Sequence, residues 1–244
     1  IGASLNEVAI EPILTWTING GENSTEEEGF NSKAAGTYGE LYINTETGQY
    51  KYTPNDEAIN ALIEGSEQQE VFTITADYEG ITGNNTITID IVGANDNPVI
   101  KVANSDNASA SLNETEGILT TSGTLTVNDL DLTDTVELST AVAKSGTTTG
   151  IEFNDVQLAS MFTVTTGGID ADSSDTNNIS WSFNAGADAF DYLAEGESLI
   201  LTYTITATDN NTNWLQRILG VTPLTASQDV VITVTGTNDR PVAG

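Results

Sequence analysis

The stretch Asn95-Asp96-Asn97-Pro98 places one carboxylate between two side-chain amides, and it returns near the C-terminus as Asn238-Asp239-Arg240-Pro241. Carboxylate, amide and backbone oxygens are hard donors, the ligand set that Ca²⁺ requires. The competing reading is an Asx-Pro turn that carries no ion. The chain has neither His nor Cys. That removes thiolate sites, ordinary zinc sites, His-based acid–base catalysis and the Ser-His and Cys-His nucleophile pairs. Asp and Glu are plentiful, but nothing in the sequence sets an acid opposite a base, so the expectation is a protein that is not an enzyme.

Thirty-six acidic residues against six basic ones give a formal charge of −30 over 244 residues. Such a chain is unsuited to nucleic acid or to an anionic membrane surface, both of which select for Lys and Arg. The excess suits a protein whose self-repulsion is relieved by bound divalent cations, with a merely soluble acidic surface as the alternative. No apolar run approaches membrane-spanning length, so no membrane insertion is expected. The start, Ile1-Gly2-Ala3-Ser4, lacks the basic and apolar regions of a signal peptide, and both ends read as cuts inside a longer polypeptide.

Short alternating runs must position these acids. In the first half they are Ile13 to Ile18, Gly39 to Ile43, Gln49 to Tyr52, Val71 to Thr75 and Ile87 to Ile91, each with apolar residues at every second place. Thr47-Gly48 reads as a hairpin turn, residues 57–63 as a short helical turn, and the Gly, Glu, Asn and Ser of residues 20–36 as a loop. The second half repeats the plan. Tyr50 and Trp181, Leu62 and Leu193, Gly65 and Gly196, and Phe72 and Tyr203 are each separated by 131 positions, a shared register that composition alone does not produce. Pro98 and Pro241 are 143 apart, which puts an insertion within 209–228. Its Trp214, Leu215 and Ile218 are expected to pack against the second repeat. A further expansion, residues 167–178, carries Asp170, Asp172 and Asp175, either as an extra ion site or as a solvated loop.

About seven short strands per repeat, abundant Thr and Val, and no long helix predict an all-β chain of two tandem antiparallel Greek-key β-sandwiches, residues 1–97 and 98–244. Trp16, Tyr50, Tyr52, Phe72, Trp181, Phe183 and Tyr203 are expected in the cores, since a sandwich without disulfides fills its interior with large side chains.

The run Thr37 to Ile43, then Gly48-Gln49-Tyr50-Lys51-Tyr52, Ala61-Leu62, Gly65 and Phe72 to Asp77 resembles a VCBS repeat, a tandem module of large bacterial RTX-type adhesins. The second half resembles the same group through Ser122 to Asp131, Trp181-Ser182-Phe183 and Gly236-Thr237-Asn238-Asp239. The resemblance implies export to the bacterial cell surface, where a chain without disulfides folds in abundant Ca²⁺. A more distant similarity to cadherins implies the ligands of a joint: Glu7, Glu64, Asn95, Asp96 and Asn97 from the first repeat, and Asp129, Asp131 and Asp209 from the second. By the same similarity Glu114, Glu195, Asn238 and Asp239 form half of a further joint. At the start of the first repeat the pattern departs, since Trp16-Thr17-Ile18 is followed by Asn19-Gly20-Gly21 rather than Asp-x-Asp.

Two functions fit. In one, the segment is a calcium-rigidified extender of a cell-surface adhesin active in adhesion and biofilm formation, a monomeric chain whose partners are neighbouring repeats of the same polypeptide, with host or surface glycans and peptides met by other domains. In the other, the enlarged loops of the second repeat bind a peptide or glycan themselves.

Overall fold

The computed structural model describes residues 13–131, 134–170, 174–210 and 222–238. The chain divides into two units, Ile1–Ala94 and Asn95–Gly244, so Asn95, Asp96 and Asn97 go with the second.

In the first unit β1 (Leu14–Ile18), β6 (Glu67–Tyr78) and β7 (Ile81–Val92) form one antiparallel sheet in the order β1-β6-β7. The strands β2 (Glu22–Asn23), β3 (Ser32–Ala35), β4 (Gly39–Ile43) and β5 (Tyr50–Pro54) form the other, an antiparallel meander. Ile18, Ala34, Leu41, Ile43, Phe72, Ile74 and Ile87 fill the space between the sheets, with Trp16 and Tyr52 partly buried against them. The helical turn is α1 (Asp56–Asn60), capped by the Asn55 side chain. Residues 20–36 are not simply a loop, because β2 and β3 lie within them. Lys33 on β3 holds that polar edge in place through ion pairs to Glu26 and Glu40 at 2.8 and 3.1 Å. Tyr50 is 56% exposed and so is not a core residue. The hairpin between β6 and β7 turns on Glu79 and Gly80, at φ 53° and 83°. Left-handed residues at both central positions match the twist of the flanking strands. The Asp77 carboxylate accepts the Gly80 N–H there at 3.0 Å.

In the second unit β8 (Val99–Lys101), β10 (Thr120–Asn128), β12 (Phe162–Val164) and β14 (Ile179–Asn184) form a sheet in the order β12-β14-β10-β8. The facing sheet runs β13-β11-β15-β16-β9, from β9 (Ser109–Asn113), β11 (Thr135–Gly146), β13 (Ile169–Asp170), β15 (Ser198–Asp209) and β16 (Thr225–Thr235). Every pairing is antiparallel except β9 with β16. The chain crosses between sheets from β10 to β11 and from β14 to β15, a Greek-key sandwich. Phe162 stacks on Tyr203 at 4.3 Å and lies 5.8 Å from Trp181, and the buried Tyr203 hydroxyl donates to Leu158 O on α2 (Asp155–Ser160).

The repeat is visible in hydrogen bonds. The hairpins β6–β7 and β15–β16 begin their registers at Glu67↔Val92 and Ser198↔Thr235, offset by the same 131 and 143 positions read from the sequence. Before each, a left-handed Gly (Gly65, Gly196) donates to a second Gly (Gly93, Gly236) at 3.0 and 3.2 Å. A Cβ on Gly236 would collide with Ala194 O and Leu193 O, and Gly93 is confined by Ile63 O and Leu62 O in the same way. Gly236→Ala is therefore expected to cost about 1–3 kcal/mol, measured as a lower denaturant midpoint, because the obstruction is backbone and cannot swing aside.

β1 corrects one sequence reading. It pairs with β6, Trp16 opposite Ala76, as β11 pairs with β15, whereas the second unit's Asp-x-Asp follows β10. Asn19-Gly20-Gly21 is therefore not the counterpart of Asp129 to Asp131.

Candidate metal centre

Strand parity explains how acids come to lie inside the second unit. β15 alternates strictly, with Leu199, Leu201, Tyr203, Ile205 and Ala207 facing the core. Asp209 is the next inward position, and it is 2% exposed at the strand's end. Its ladder partner is Val136, also buried, and Asp134 lies two residues before Val136 on the same inward side. From the facing sheet β10 ends at Asn128 and delivers Asp129 and Asp131, which are 2% and 1% exposed. Four carboxylates are thus buried at the end of the sandwich where β8 begins, since Asn128 pairs with Val99.

The linker residues join them. The Asn95 amide donates to Asp209 Oδ2 at 2.7 Å, and the Asp96 N–H donates to Asp131 Oδ2 at 2.6 Å. Asp129 Oδ1 accepts the Asp131 N–H at 3.1 Å, and Asp131 O accepts the Asp134 N–H at 3.0 Å. Asp129 Oδ2 and Asp131 Oδ1 are buried with no hydrogen-bond partner. Burial pushes both carboxyls up to about 6, with Asp209 and Asp134 repelling at Asp129, and Asp129, Asp134 and Asp96 at Asp131. Backbone hydrogen bonds pull the other way without cancelling this. The ion pairs among the described residues lie elsewhere, at Lys33, Lys51 and Lys144.

Of the sequence-predicted ligands, the structure brings together Asn95, Asp96, Asp129, Asp131 and Asp209; Asn97 is exposed beside them. Glu7 and Asp239 lie outside the described residues. Glu64 is half-buried in the first unit, ahead of Gly65. At the opposite end of the second unit Glu114 is 1% exposed, accepts the Thr237 N–H and hydroxyl on Oε2 at 3.4 and 3.1 Å, and keeps Oε1 without a hydrogen-bond partner. It floors an open depression shared with Glu116, Thr237 and Asn238, while Glu195 stands exposed on the turn before β15. Sequence reasoning missed Asp134, although its place three residues after Asp131 was the available signal. In the 167–178 expansion Asp170 is exposed and Asp175 half-buried; Asp172, like Trp214, Leu215 and Ile218 of the insertion, is outside the described residues.

No family model matches the chain, and no curated protein matches it at a significant level. Solved structures similar to it include cadherin extracellular domains. Human protocadherin-24 EC1-2 is 16% identical, covering 95% of this chain and 84% of its own at a TM-score of 0.35. Protocadherin gamma B2 domains 1–5 are 15% identical, covering 95% and 41% at a TM-score of 0.38. Mouse cadherin-23 EC22-24 is 14% identical, covering 92% and 53% at 0.34.

The donor set fits a hard divalent cation. Every side-chain ligand on offer is oxygen, the charge is negative throughout, and two buried carboxylate oxygens lack partners, a costly state unless a cation or proton joins them. Asp131 and Asp129 spend one oxygen each on a backbone N–H, and among the described residues no three carboxylates already close on one centre. Small side-chain rotations that free those oxygens are the step a cation would have to drive.

Proposed function

We propose that this chain is a calcium-dependent extender segment of an extracellular adhesive protein, of the bacterial RTX type that its sequence resembles, and that its role is mechanical rather than enzymatic. The observation that carries the reading is the group Asp129, Asp131, Asp134 and Asp209, buried at one end of the second unit, with an oxygen on Asp129 and one on Asp131 that no hydrogen bond satisfies. Carboxylates held this close repel strongly unless a cation sits among them. Ca²⁺ suits the site better than Mg²⁺, because it tolerates irregular oxygen shells of six to eight donors whereas Mg²⁺ demands a near-ideal octahedron. Glu114, with Thr237 and Asn238 at the opposite end, offers the beginning of another oxygen site. Repeated sandwiches bearing such ends suit a stalk that is stiff where calcium is abundant.

Calorimetric titration of the chain with calcium chloride is expected to show binding of two or three ions tighter than millimolar, and small-angle scattering to give a longer particle with calcium than with chelator. Absence of heat at millimolar calcium, together with superimposable scattering profiles, would sink the reading.

A further inference from the structure

The enlarged loop before β14 is hydrogen-bonded to the end of β10. On its β14 side the β10 ladder stops at Leu125↔Ile179, and from Thr126 onward β10 pairs with β8. The next rung on the β14 side is supplied by a side chain. Asn178 Oδ1 accepts the Val127 N–H and Asn178 Nδ2 donates to Val127 O, both at 2.8 Å, so one amide stands in for a strand's backbone. The adjoining residues continue the grip. The Asn177 N–H donates to Thr126 Oγ1 at 3.0 Å, and Asn128 Nδ2 donates to Asp175 O at 3.1 Å. Asn177 adopts φ 55°, a left-handed conformation that Asn tolerates better than most residues, and its Oδ1 accepts from Ser105 and Thr124. Thr126, Val127 and Asn128 are all buried, and Asp129 follows directly.

We propose that residues 175–178 are a strap that fixes the last residues of β10, and that Asn178 and Asn128 are positioning residues for cation binding at Asp129 and Asp131. The inference rests on the calcium reading above and deepens it. The strap's hydrogen bonds go to Thr126, Val127 and Asn128, the residues that precede Asp129. It sets the backbone from which both carboxylates project, and removing groups that orient metal ligands typically costs about 10–100-fold in metal affinity.

The test is calcium titration calorimetry on the full chain, with melting in chelator measured beside it, for Asn178→Ala, Asn128→Ala and the control Thr165→Ala. Thr165 Oγ1 accepts the Ser180 N–H at 2.8 Å, so the control removes a hydrogen bond from β14 away from β10. Asn178→Ala and Asn128→Ala are expected to weaken calcium binding about tenfold or more, while Thr165→Ala leaves it within about twofold whatever its melting temperature does. If Asn178→Ala fails to fold, Asn128→Ala decides, because it leaves the Val127 rung intact. Wild-type affinity in a folded strap variant overturns the inference and leaves the calcium reading standing. Absence of binding in the unaltered chain overturns that reading, and the strap's role with it.

Discussion

Asp131→Asn is expected to stabilise the calcium-free protein and to abolish most of the stabilisation that calcium brings. The carboxylate is 1% exposed, one oxygen lacks a partner, and Asp129, Asp134 and Asp96 all repel it. Asn keeps an oxygen for the Asp96 N–H while removing the charge, so the variant should melt a few degrees higher in chelator. In calcium the order reverses. A site filled at a thousand times its dissociation constant contributes about 4 kcal/mol, on the order of 10 °C for a chain of this size. A neutral amide in place of a central ligand should forfeit most of that rise. Differential scanning calorimetry of both proteins, with chelator and with millimolar calcium, reads the crossing directly. A variant that is less stable in chelator yet keeps the full calcium shift would show that Asp131 is a structural residue and no ligand.

Strand parity made much of this arrangement legible. Asp209 was implied by the similarity to cadherins, and the alternation that puts Leu199 to Ala207 inside accounts for its burial, while the offsets of 131 and 143 positions survive in the two hairpin registers. What alternation does not encode is which neighbour a strand takes, so Trp16 to Ile18 were matched to the strand before the Asp-x-Asp turn although β1 occupies the place of β11. The short strands β2 and β3 were hidden because a salt-bridged polar edge has no apolar period to read. Tyr50 shares the register of the fully buried Trp181 yet lies open to solvent, because register fixes backbone position and the depth of the surrounding sandwich decides burial. Asp134 and Asn178 were missed for separate reasons. An acid just before a strand resembles any solvated turn acid, and an amide that replaces a backbone rung leaves no pattern in sequence at all.

The same buried acids predict a pH dependence whose sign depends on calcium. Asp129 and Asp131 titrate at about 6 in the folded chain against an ordinary value of 3.8, so between those values the folded state binds more protons than the unfolded one. Stability must then fall as pH rises through that window and level off above it, the reverse of an ion-paired carboxylate. In chelator the second unit should therefore melt at higher temperature near pH 5 than near pH 7.5. In saturating calcium the slope should change sign, because the ion requires the ionised carboxylates and protons compete with it below about pH 6. Asp131→Asn should flatten both slopes, since it removes one of the two titrating groups. A chelator profile that rises from pH 5 to 7.5, or is unchanged by Asp131→Asn, would mean that these carboxyls are not the proton-binding groups of the fold.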